Sequence, residues 1–207
     1  MNPLHALHHR LVRMPRVGRV ASAVAMLAGK TESLLDVGAG DGRVGAALRD
    51  ALGARVEGVD VHVQDGARIP IRAFDGITLP YPDGAFEIVA LCDVLHHATD
   101  PLPLLRDALR VARRAVVIKD HYRFGRASAA LLLAMDVIGN ASQGVLVRGT
   151  YLTPKEWLDL VSRAGGRIEA QLWPLDVHAL PLRLATRSEL QFAARIVALS
   201  LPLEVAP

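Results

Sequence analysis

The sequence predicts an α/β protein, a mostly parallel sheet covered on both faces by helices. Three observations carry this. Up to about residue 120, short apolar runs alternate with segments of helical period, the pattern of parallel strands joined by crossover helices. One of those runs, Leu34-Leu35-Asp36-Val37, ends in a glycine-rich turn that opens a helix. The chain has 207 residues, of which 51% are apolar, enough for one such domain with a substantial core and cramped for two.

The elements follow in order. Residues 3 to 29 read as two helices split near Pro15, with Leu4, Leu7, Leu11, Val17, Val20, Val24 and Leu27 as their apolar stripe. The first strand is 33–37, a helix covers 43–52, the second strand is 55–60 and the third runs from about 69 to 74. The turn formers Pro80, Pro82, Asp83 and Gly84 deliver the chain into a fourth strand over 86–91. Pro101 and Pro103 stand where a helix would begin, and that helix reaches about Val111 before a fifth strand over 115–119. Beyond it, helices near 127–138 and 154–164 flank a loop over 139–150, a sixth strand follows at 167–173, and 189–198 reads as a seventh.

Composition removes several classes of function. The net charge is +3 and the cations are almost all arginine, without a long basic block, so nucleic acid is not the expected partner. The one cysteine, Cys92, rules out an internal disulfide framework and any multi-cysteine zinc site, which fits a reducing, cytoplasmic compartment. Arg10, Arg13, Arg16 and Arg19 before the apolar Val20 to Leu27 stretch imitate a secretory signal. That reading is rejected because the stretch is short and runs into the first strand without a cleavage site. The apolar run 127–138 is far below the roughly 20 residues a membrane span needs and contains Asp136, so no transmembrane helix is expected.

The strongest chemical signal is Asp36-Val37-Gly38-Ala39-Gly40-Asp41-Gly42. Glycines let the backbone turn tightly and allow a ligand to approach where a Cβ would intrude. Asp60, ending the second strand, can accept hydrogen bonds from both ribose hydroxyls of an adenosine. Together they point to a nucleoside cofactor and leave S-adenosylmethionine (SAM) and NAD both open.

What chooses is the run Phe74-Asp75-Gly76-Ile77-Thr78-Leu79-Pro80-Tyr81-Pro82-Asp83-Gly84-Ala85-Phe86-Glu87-Ile88-Val89, continued by Asp93-Val94-Leu95-His96-His97-Ala98-Thr99-Asp100-Pro101. Over about residues 33 to 120 the chain resembles the class I SAM-dependent methyltransferases, in the type 11 branch that includes quinone-biosynthesis enzymes. The resemblance implies a Rossmann-like, mostly parallel seven-stranded sheet in a single domain, with a helical lid over 1–30, a SAM-binding core over 31–120 and acceptor-side elements over 121–207. It implies that Asp36, Gly38 and Gly40 surround the methionine part of SAM, that Asp60 takes the ribose, and that Asp75 accepts from the adenine amino group with Gly76 beside it. Cys92 would lie near the reactive methyl through its backbone. The chain departs from the family where the usual Pro-Gly-Gly turn before the fifth strand is replaced by Ala112-Arg113-Arg114-Ala115.

Methyl transfer needs alignment, and a base only where the acceptor must lose a proton. For an oxygen acceptor, His97 and His121 are the favoured bases, with His96 close by; all three fall at the carboxyl ends of strands four and five, where ligands bind in open α/β sheets. A packing or capping role is the alternative for each. No metal is expected, although Asp93, His96, His97 and His121 have a spacing similar to that of metal-assisted methyltransferases. Asp136 and Asn140, one helical turn apart on an apolar helix, either face a wet acceptor pocket, with Tyr122, Tyr151 and Trp157 as candidate walls, or cap the helix end; core packing is the alternative for the three aromatics. The expected reaction is methylation, at oxygen, of a small and partly apolar acceptor. If that acceptor is lipophilic, the basic N-terminal helices could collect it at a membrane surface rather than close over SAM. Two alternatives stay open: a SAM-binding protein without turnover, and an NAD-dependent reductase, for which no Tyr/Lys hydride-transfer arrangement is evident.

Overall fold

The structure, a computed structural model, describes residues 14–140, 149–178 and 186–199. In chain order its elements are α1 (Met14–Ala28), β1 (Ser33–Val37), α2 (Arg43–Leu52), β2 (Arg55–Asp60), β3 (Ile71–Ala73), β4 (Phe86–Cys92), a 3-10 turn (Leu95–His97), α3 (Pro101–Val111), β5 (Ala112–His121), α4 (Arg126–Asn140), α5 (Pro154–Arg163), β6 (Gly166–Leu172), a second 3-10 turn (Ser188–Leu190) and β7 (Gln191–Ala198).

The strands form one seven-stranded sheet in the order β3-β2-β1-β4-β5-β7-β6. All neighbours are parallel except β7, which runs antiparallel to both β5 and β6. Every residue of β1 is buried, as expected of a strand covered on both faces. Period-two alternation divides the interior. Leu35, Val89 and Ile118 point to a cluster completed by Leu105 of α3 and Trp157 of α5. Leu34, Ile88 and Val117 point to the other, completed by Val20 and Val24 of α1 and Leu48 of α2. Strand order reverses between β1 and β4, so the crevice at their carboxyl ends is where a doubly wound sheet takes a ligand.

Local signals explain the helix starts. Asp100 accepts the Leu102 N–H at 3.0 Å ahead of α3, where Pro101 needs no donor. Thr153 and Glu156 close a capping box on α5. Two strands differ from expectation. β3 is confined to residues 71–73, because Pro70 has no N–H to offer a ladder and contributes only its carbonyl, to Gly58 N at 2.8 Å. β5 is longer than expected at both ends. It starts directly at the C-cap of α3, with Arg113 and Arg114 reaching Glu87 at 3.1 and 3.3 Å in place of a glycine turn, and β7 pairs with it out to His121. The expected helix before residue 14, with Leu4, Leu7 and Leu11, and residues 141–148 of the expected loop lie outside the described residues. Among the described residues no helix is long and apolar enough to cross a membrane.

Candidate active site

The glycine turn is pinned by backbone and carboxylate. Gly38 and Ala39 both donate to the Val59 carbonyl, at 2.8 and 3.1 Å. Gly40 donates to Asp60 Oδ2 at 2.7 Å, while Asp60 Oδ1 accepts from His62 N at 2.9 Å. Gly38 and Gly40 have φ of 71° and 55°, the left-handed region that favours glycine. The two differ in what a side chain would meet: a Cβ on Gly38 would stand 2.5 Å from Val94 Cγ2, whereas one on Gly40 would enter open space.

Beneath the turn Asp36 is 1% exposed, and its Oδ2 has no hydrogen-bond partner. Burial, then the charge of Asp60, push its carboxyl up to about 7, against a Gly45 N–H that favours the ionised form. Asp75 is exposed on the loop after β3; its Oδ1 accepts from Ile77 N at 2.7 Å and Thr78 N at 2.6 Å, which hold it below the usual carboxylate range. Gly76 follows with φ of 84°. Cys92 ends β4, partly buried against the cluster beneath α1, and burial, then the charge of Asp36, push its thiol up.

Beyond β4 and β5 lies a buried polar network. Asp93 has φ of 58°, uncommon for a residue with a side chain, and its carboxylate accepts from Lys119 Nζ of β5 and from Arg16 of α1, each at 2.5 Å. Lys119 is fully buried and also donates to Gln191 Oε1 at 2.6 Å. His96 sits between two carboxylates, Nδ1 at 2.7 Å from Asp120 Oδ1 and Nε2 at 3.2 Å from Asp136 Oδ2. Burial alone would lower its pKa, but Asp120 and then Asp136 carry it up to about 10. Tyr151 stacks on the His96 ring at 5.5 Å and donates its hydroxyl to Asp136. The rings of His97 and His121 lie 4.1 and 4.9 Å from that of His96. Both have lowered pKa values: burial is the main cause in each, followed by the charge of His96 for His97 and of Lys119 for His121.

Of the residues expected at an acceptor site, His97, His121, Asp136 and Tyr151 come together here. Tyr122 does not. It is 4% exposed, stacked on Phe192 at 4.0 Å and accepting from Gln171 Nε2 at 3.0 Å, because the β5–β7 pairing places it in the core. Asn140 closes α4, but its side chain lies outside the described residues. The metal cluster suggested by the spacing of Asp93 with the histidines is not formed as such, since two cations occupy the Asp93 carboxylate. Lys119, Asp120 and Gln191 carry no expectation from the sequence, and His96 is expected there only as a neighbour of the favoured bases. For Lys119 and Asp120 the signal is the polar triplet Lys119-Asp120-His121 after the apolar run Ala115 to Ile118, where burial demands partners.

Residues 35–118 match the protein-family model described as a methyltransferase domain. Over these residues, which carry the glycine turn and run from β1 into β5, the chain is similar to methyltransferase domains. A curated relative, 27-O-demethylrifamycin SV methyltransferase of Amycolatopsis mediterranei (strain S699), is 31% identical over 108 residues, which make up 46% of this chain. The matched part of the chain spans only 39% of that relative's length. Among solved structures, mitomycin 7-O-methyltransferase superposes with a TM-score of 0.64 at 23% identity, covering 89% of this chain and 53% of that one. A SAM-dependent methyltransferase from Aquifex aeolicus gives 0.62 at 18% identity, covering 90% and 94%. At such identities the superpositions show the fold.

The residues of the glycine turn fit SAM, the cofactor of the methyltransferases this stretch is similar to. The space that a Gly40 Cβ would enter and the unpartnered, buried Asp36 oxygen under the same turn are features that a bound cationic ligand would use.

Proposed function

We propose that this chain transfers a methyl group from SAM to a hydroxyl of a small, partly apolar acceptor. The observation that carries the reading is the junction of the glycine cleft after β1 with the histidine and carboxylate network after β4 and β5. Asp36, Gly38 and Gly40 would hold the methionine part, Asp60 the ribose, Asp75 and Gly76 the adenine, and the Cys92 backbone would border the methyl. When bound, SAM supplies an electrophilic methyl on a sulfonium, which leaves the protein to align the acceptor and remove one proton.

His97 is the first candidate for that proton. It is only partly buried and its Nδ1 has no partner. His121, 5% exposed, is the second. Asp120 fixes the ring of His96, and Tyr151 with Asp136 forms the wall from α4. The choice of oxygen is supported by the two O-methyltransferases among the similar proteins. α1 acts as a lid in this reading, because Arg16 turns inward to Asp93 and Arg19 donates to the His178 carbonyl at 2.5 Å.

The test is calorimetry with SAM, its demethylated product and NAD, followed by transfer of labelled methyl to a panel of hydroxylated aromatic and aliphatic compounds. Binding of SAM with label appearing on a hydroxyl is the expected result. Binding of NAD but not SAM refutes the reading, and SAM binding with label on no compound of the panel favours a binding protein without turnover.

A further inference from the structure

We propose that His96, His97 and Asp136 form a binding site for one divalent transition-metal ion of the zinc type, with Asp120 as the group that orients His96. The three residues bring one ligand atom each to within 4.8 Å of one another, two imidazole nitrogens and a carboxylate oxygen, a donor set zinc accepts.

The detail of His96 points the same way. Its Nδ1 is engaged by Asp120 at 2.7 Å, the carboxylate–histidine arrangement that fixes the tautomer of a metal-binding imidazole and raises its basicity. Its Nε2 is buried and has only the Asp136 carboxylate, with Oδ2 at 3.2 Å, as an ion-pair neighbour that a metal ion would replace as its partner. Two ligands about 2.0–2.1 Å from a tetrahedral zinc lie roughly 3.3 Å apart, so this spacing suits two atoms that share an ion. His97 Nδ1 is buried without a hydrogen-bond partner. The Tyr151 hydroxyl donates to the same Asp136 oxygen, Oδ2, and holds that carboxylate beside His96. Three protein ligands leave a fourth position, open to an oxygen of the acceptor; with the ion bound His97 is a ligand and no longer a base, and the acceptor's proton falls to His121. The site lies in the acceptor pocket of the proposed transferase and so rests on that reading for its use, while ion binding itself does not depend on methyl transfer.

The test uses the full chain, stripped with a chelator and dialysed, then titrated with Co²⁺ followed by visible absorption and with Zn²⁺ in competition. The expected result is one Co²⁺ per chain with bands of low-symmetry coordination, displaced by Zn²⁺. His97→Ala and Asp136→Asn should each weaken binding at least tenfold, and Asp120→Asn by 10- to 100-fold, the range for an orienting partner. His178→Ala should leave it unchanged. Circular dichroism verifies folding of each variant, and His97→Ala, at a partly exposed position, keeps the test open if a buried variant fails to fold. Absence of stoichiometric binding, or binding indifferent to both His97→Ala and Asp136→Asn, overturns the proposal. A chain that binds SAM but no cobalt sinks the metal site alone, and one that binds cobalt but not SAM sinks the transferase alone.

Discussion

Replacing Asp36 by Asn should stabilise the protein at pH 8 and flatten its stability profile between about pH 4 and 7. In the folded chain this carboxyl is raised from 3.8 to about 7 by burial and by Asp60. Below 3.8 it is protonated whether the chain is folded or not and contributes no difference. As pH rises from there to about 7, the unfolded chain releases the proton more readily, so folding loses stability; above 7 the loss levels off. At about 1.4 kcal/mol per pKa unit, the difference from 3.8 to about 7 amounts to roughly 4 kcal/mol as a ceiling. The Asn side chain would bury an amide beside the same unpartnered position, at a cost of about 1–3 kcal/mol, which leaves a net gain of about 1–3 kcal/mol at pH 8. Urea denaturation of both proteins at pH 5 and pH 8 measures this. Equal pH dependence in wild type and variant would refute the argument. The same substitution should weaken SAM binding, which calorimetry would show, since a cationic ligand gains from an ionised Asp36.

Other substitutions separate cofactor, core and capping roles. Gly40→Ala meets open space but holds an alanine at φ of 55°, so it should cost about 1–2 kcal/mol in stability and abolish SAM binding, whereas Gly38→Ala adds a collision with Val94 and should unfold more easily in a thermal melt. Asp60→Ala should weaken SAM and its demethylated product alike by about 1.5–3 kcal/mol, measured by calorimetry, with some loss of order in the Gly40 turn. Tyr122→Phe should cost about 1 kcal/mol in stability through the lost Gln171 contact and leave the KM for any acceptor unchanged; a large KM effect would return Tyr122 to the pocket. Thr153→Ala should destabilise by about 0.5–2 kcal/mol in denaturant titration, without effect on cofactor binding.

Features governed by near neighbours were legible before the structure. β1, α2 and β2 fall at the expected residues because an apolar run, a glycine turn and a left-handed Gly53 at the helix end are local signals. β5 was underestimated because its extension depends on β7, which pairs Gln191 with His121 from 70 positions away and whose place in the sheet no local pattern reveals. The site divides in the same manner. Asp36, Gly38, Gly40 and Asp60 are announced by strand ends, whereas the role of His96 required the 3-10 turn to aim its ring between Asp120 of β5 and Asp136 of α4. A strand-end aromatic such as Tyr122 has the same sequence appearance whether it lines a pocket or stacks on a core ring, as Tyr122 does on Phe192.

The clasp between Arg16 and Asp93 joins residues 77 apart in the chain and ties the first described helix to the turn that carries the histidines. Asp93 keeps its left-handed backbone with two cations on its carboxylate, so deleting α1 would leave Lys119 as the sole remaining restraint among those two and bare the face bearing Val20 and Val24. A chimera that exchanges the N-terminal helix to alter acceptor choice would therefore have to supply an arginine at this point, or the loop it hopes to retune will be loosened by the graft itself.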